Sequence, residues 1–99
     1  MLIITKKIDG ASLTFALEGR LDTATAPQLE AGIKEAIDGV VSLVFDLEKL
    51  DYVSSAGLRV LLSAQKIMNE QGKMIVTHVN SLVMDIFEIT GFTDVLTIE

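Results

Sequence analysis

The chain has no cysteine, no tryptophan, a single proline and a single histidine. Without cysteine there is no disulfide framework and no thiolate for catalysis or for metal. The lone histidine, His78, follows an apolar segment with no Asp or Ser partner nearby in sequence. It cannot make a zinc site by itself and reads as a structural or solvent-facing residue. Aromatic residues are only 5% of the chain, so Leu, Ile, Val and Ala must fill the interior. No apolar run approaches the roughly 20 residues of a bilayer span. Met1-Leu2-Ile3-Ile4 is too short for a signal peptide, and Lys6 and Lys7 follow it rather than precede it. The expectation is a cytosolic protein. Cations are also scarce: 8 Lys and Arg against 14 Asp and Glu give a formal net charge of −6. Phosphate backbones and anionic lipids are repelled, so nucleic acid and membrane surfaces are poor partners.

What is present suits one domain of 99 residues. A chain this short buries about two thirds of its unfolded surface, so the core must be efficient. Hydrophobic residues make up 49% of it, and mean hydropathy is +0.48. Either burial is very complete or some apolar surface meets a partner.

The order of elements follows from periodicity. Leu2 to Ile8 reads as a strand with a tight turn at Asp9-Gly10. Leu13, Phe15 and Leu17 alternate with polar neighbours, as in a strand with one buried face. A hairpin results, ending at Gly19-Arg20-Leu21-Asp22. Thr23 to Pro27 starts a helix whose apolar stripe is Leu29, Ile33, Ala36 and Ile37, and Gly39 closes it. Val40 to Phe45 is almost unbroken in apolar character, which predicts an interior parallel strand covered on both faces. Asp46 to Val53 is expected as the loop leaving that strand. A helix from about Ser55 to Gln71 follows, stopped by Gly72. Lys73 to Val79 is a strand, Asn80-Ser81 caps a third helix that ends at Gly91, and Val95, Leu96 and Ile98 suggest a last short strand. Strands alternating with helices imply right-handed crossovers. The predicted class is α/β: an N-terminal β-hairpin, then alternating helices and strands, in a mixed, mostly parallel sheet flanked by helices.

The densest signal is the stretch from Asp51 to Leu62. Ser54 and Ser55 stand where an extended segment gives way to a helix. A serine there is placed to cap the helix with its side-chain oxygen. A phosphate added there would be held by free backbone N–H groups and the positive end of the dipole, and it would change the surface charge abruptly. The helix also carries too wide an apolar arc. Arg59, Ser63, Lys66 and Glu70 fill one narrow polar strip, leaving Val60, Ala64 and Ile67 beyond an ordinary core-facing stripe. That flank is covered by a neighbouring helix or by a partner protein.

Other constellations carry little. Ser63-Ala64-Gln65-Lys66 has the Ser-x-x-Lys spacing of some acyl enzymes but lacks their companion motifs. No Gly-rich phosphate loop occurs. Asp46, Glu48 and Asp51 are acidic neighbours of the kind usually solvated around a loop. Nothing points to an enzyme, a cofactor or a bound metal.

Val53-Ser54-Ser55-Ala56-Gly57-Leu58 resembles the signature of STAS domains, specifically the bacterial anti-sigma factor antagonists. Gly19-Arg20-Leu21-Asp22, followed by Ala26 and Leu29, resembles the segment before that family's first helix. Phe45-Asp46-Leu47 is similar to the strand leading into the signature, and Ile86 to Phe92 to the closing helix and glycine turn. The resemblance implies a protein that, unphosphorylated, binds an anti-sigma factor that is also a serine kinase, and so frees the sigma factor. Phosphorylation of the signature serine ends the complex, and a serine phosphatase reverses it. The family register maps the modified serine onto Ser55, with Ser54 as second choice. It implies a partner-facing surface of Asp22, Thr23, Ser54, Ala56, Gly57, Arg59 and Val60. This sequence departs from the family pattern twice, with Ser54 where Asp is frequent and Arg59 where Gly is frequent. Two other readings stand beside this one. One is a STAS subunit with a fixed partner, never phosphorylated, in a scaffold or lipid-transport assembly. The other is a small-ligand or nucleotide-binding domain using the helix start at Ser54-Ser55.

Overall fold

Residues 1–99 are all described by the computed structural model. Strands β1 (Leu2–Asp9) and β2 (Ser12–Leu21) form the expected antiparallel hairpin, with Asp9 opposite Ser12 across the turn. Helix α1 (Ala26–Ala36) crosses to β3 (Ser42–Val53), which lies parallel to β2. Helix α2 (Ser55–Gln71) crosses to β4 (Lys73–Thr77), parallel to β3. Helix α3 (Ser81–Thr90) closes the fold. The sheet order is β1-β2-β3-β4, so β3 is interior, as the apolar run predicts. The last strand is reduced to a single parallel bridge from Ile98 to Val76.

The core is one cluster of 25 buried residues, with Phe15 and Phe45 stacked at 5.7 Å between ring centroids. Along β2 and β3, Leu13, Phe15, Leu17, Leu43, Phe45 and Leu47 are buried, while Thr14, Ala16, Val44 and Asp46 between them are half-buried. Met74 and Val76 repeat the pattern on β4. One sheet face therefore packs against the helices and the other is largely open. This corrects the expectation that Val40–Phe45 is covered on both faces. Val40 and Val41 precede the strand, and Val41 is exposed.

The segment Asp46–Val53 is strand, not loop. Two register shifts against β2, between Ala16 and Glu18 and between Gly19 and Arg20, each give β3 an extra residue. Its inward positions are therefore Leu47, Leu50 and Val53, three apart instead of two. Strand β4 stops at Thr77 because His78 takes a left-handed backbone, φ 57°. Helix α1 ends at Ala36, with the Ile37 N–H donating to the Ile33 carbonyl; Gly39 lies in the turn beyond. Helices α2 and α3 have the bounds their caps predict. Gln71 at the end of α2 donates to the carbonyls of Ile37 and Val40, at 3.0 and 2.8 Å, tying α2 to the end of α1.

Candidate functional site: the N-terminal turn of the second helix

The chain leaves β3 at Val53 and enters α2 within two residues. Ser54 is the N-cap, in extended backbone, and its hydroxyl oxygen accepts the Gly57 N–H at 3.3 Å. Its own N–H donates to the Leu21 carbonyl at 2.9 Å, so the cap is anchored to the end of β2. Ser55 is the first helical residue and is exposed. The two serines thus divide the work: one hydroxyl is committed to the backbone and the other faces solvent. No acidic residue occupies the first turn of α2.

Gly57 is buried, and its role is steric. A Cβ there would lie 2.7 Å from Leu21 Cγ and 2.9 Å from the Leu21 carbonyl oxygen. Only glycine lets α2 start this close to β2. Ala56 is half-buried, and Thr23 and Arg59 are exposed. Val60 is 7% exposed and Ala64 is buried, because α1 packs against α2. The wide apolar arc is therefore closed mainly by a neighbouring helix. Only Ile67, 37% exposed, remains open on that flank. Between the helices runs a shallow groove of about 230 Å³, lined by Thr23, Ala26, Pro27, Glu30, Ala56, Arg59, Val60 and Ser63. Thr23, Ala56, Arg59 and Val60 meet there, whereas Asp22, Ser54 and the buried Gly57 do not line it.

Asp22 holds the turn between β2 and α1. Its Oδ1 accepts the backbone N–H groups of Ala24 and Thr25 at 3.0 and 3.1 Å. The Thr25 hydroxyl donates to the Arg20 carbonyl at 2.7 Å and accepts the Asp22 N–H at 2.9 Å. The Thr25 N–H, with the Ala24 N–H and a share of the Thr25 hydroxyl proton at 3.2 Å, outweighs desolvation and holds the Asp22 carboxyl below its usual pKa. Sequence reasoning missed the neighbour of this turn, Arg20, whose guanidinium lies 4.4 Å from the centre of the Tyr52 ring and 3.7 Å from the Asp22 carboxylate. The contact depends on the shifted register that pairs Arg20 with Tyr52, for which the sequence carries no local signal. His78 does have a partner: its Nδ1 is 3.1 Å from Asp46 Oδ1, brought close because Asp46 pairs with Thr77 across the strands. Asp46, Glu48 and Asp51 form no cluster able to hold a metal ion.

The STAS domain family matches residues 3–99, essentially the whole chain. The chain belongs to the STAS family. A putative anti-sigma factor antagonist of Bordetella bronchiseptica, BtrV, is 40% identical over 100 residues, covering 99% of this chain and 85% of its relative. The anti-sigma-B factor antagonist of Listeria monocytogenes is 28% identical over 97 residues, 95% of this chain and 84% of that one. Among solved structures, an anti-sigma factor antagonist from Mycobacterium paratuberculosis superposes with a TM-score of 0.89 at 20% identity, over 99% of this chain and 85% of the other. SpoIIAA of Bacillus in its phosphorylated form gives 0.76 at 19% identity, over 98% of this chain and 91% of that one. These structures share the fold: a mixed sheet of four strands with three helices. These relatives are anti-sigma factor antagonists, which are regulatory proteins rather than enzymes. No helix is long and apolar enough to cross a membrane.

Proposed function

We propose that residues 1–99 act as one STAS unit, a cytosolic antagonist of an anti-sigma factor switched by phosphorylation of Ser55. In this reading the unphosphorylated protein binds an anti-sigma factor that is also a serine kinase. The kinase transfers the γ-phosphoryl group of ATP to the Ser55 oxygen, ADP leaves, and the hydroxyl proton is lost. The complex then separates, and a serine phosphatase restores the free hydroxyl.

One observation carries the choice of residue. The Ser54 oxygen is engaged with the Gly57 N–H, while Ser55 is exposed on the first turn. A phosphate on Ser55 stays in water at a helix start, where negative charge is favoured, so modification leaves the fold intact. The names of the relatives support the antagonist role, and SpoIIAA, of the same fold, exists in phosphorylated and unphosphorylated forms. The exposed and half-buried groove residues Thr23, Ala56 and Arg59 supply the contact surface, with Asp22 and Ser54 beside them in the chain, whereas Val60 is buried by α1 and contributes little to it. A charge of roughly −1.5 to −2 entering such a contact opposes its desolvation.

Mass spectrometry after reaction with the cognate kinase and ATP tests the assignment. Wild type and Ser54→Ala should each gain one phosphate, and Ser55→Ala none. Phosphate retained in Ser55→Ala and lost in Ser54→Ala would move the switch to Ser54. No phosphate in any protein would favour a fixed-partner STAS subunit.

A further inference from the structure

We propose that Arg59 receives the phosphate of phosphorylated Ser55, so that modification both adds charge and withdraws this guanidinium from the partner-facing groove. The inference rests on Ser55 being the modified serine. Ser55 and Arg59 are four residues apart on α2 and both exposed. That spacing brings their Cβ atoms to about 5–6 Å on one helix face, with the acidic group on the favourable N-terminal side. Ser54, five residues before Arg59 and outside the helix, lacks this alignment.

The guanidinium is available. The ion pairs of the chain are Arg20 with Asp22, Lys34 with Glu30, and His78 with Asp46; none includes Arg59. Glu30 lines the same groove but lies beside Lys34. Within α2, Arg59 is the cation one turn from Ser55. Arg20 is held over Tyr52 and beside Asp22. Lys66 is eleven residues along the helix from Ser55, a rise of about 16 Å. Phosphate oxygens match the guanidinium fork for paired, charge-assisted hydrogen bonds, which an Asp side chain reproduces only in part. Before modification, Arg59 is free to meet an acidic group of the partner across the groove. After it, the same side chain is engaged within its own helix.

Phosphoserine placed at position 55 during translation tests the clamp without the kinase. The readout is the second ionisation of the phosphate, followed by ³¹P NMR across pH. Arg59 favours the dianion, so its pKa should lie at least about half a unit lower in wild type than in Arg59→Gln, a threefold difference in proton affinity. Arg59→Lys should fall between them, because an ammonium offers a point charge rather than a fork. The helix dipole acts alike on all three proteins and cancels from the comparison. Equal titrations in wild type and Arg59→Gln would overturn the clamp. Failure of the kinase to modify Ser55 would instead overturn the functional reading, and the regulatory role of Arg59 with it.

Discussion

At the scale of single residues, the start of α2 is specified by side chains that do different jobs side by side. Ser54 caps, Ser55 presents a hydroxyl, and Gly57 permits the approach to Leu21. The last can be separated from helix propensity. In an open helix Gly→Ala is favourable by about 1 kcal/mol. At position 57 the new methyl meets both the Leu21 side chain and its carbonyl, and such overpacking costs about 1–3 kcal/mol. Gly57→Ala should therefore lower the melting temperature, although it replaces a poor helix former with the best one. A rise on thermal denaturation would mean that α2 does not sit this close to β2. The capping serine and the buried glycine were legible in the sequence as a motif. The reason for the glycine was not, because Leu21 is thirty-six positions away.

At the scale of elements, α2 and α3 were legible because each is bracketed by local chemistry. Ser54 and Asn80 cap the starts, and Gly72 and Gly91 follow the ends. Strand β3 was legible only in its first half. Beyond Asp46 its inward residues fall at Leu47, Leu50 and Val53, and two bulges destroy the period of two that identifies a strand. The open sheet face also tolerates Glu48 and Lys49, so polarity there mimics a loop. The flank of α2 was legible as an excess of apolar surface, but its cover was not. Packing of α1 against α2 now distinguishes two positions on it. Val60→Lys puts a charge into a buried site and should destabilise by several kcal/mol. Ile67→Lys, at 37% exposure, should change stability by less than about 1 kcal/mol. Urea unfolding of both variants makes the comparison. Similar small losses would show that α1 does not close the flank.

At the scale of the whole molecule, the architecture sets one sheet face against three helices and leaves Ser55, the proposed switch, at the end of β3, where chain direction reverses into α2. The site is built on rigid neighbours: the end of β2 through Leu21, the Asp22–Thr25 turn, and α1 through the groove. Because Ser55 is exposed, a phosphate there would be added to this frame from outside, without displacing a core residue. The proposed switching therefore acts through surface charge, not through a change of fold. Its most direct test is the affinity of the anti-sigma partner for the unmodified protein and for the protein carrying phosphoserine at position 55, measured by calorimetry alongside circular dichroism. Secondary structure should be unchanged and affinity should fall at least a hundredfold, about 2.7 kcal/mol. Equal affinity of the two forms, both folded, would contradict the proposed switching.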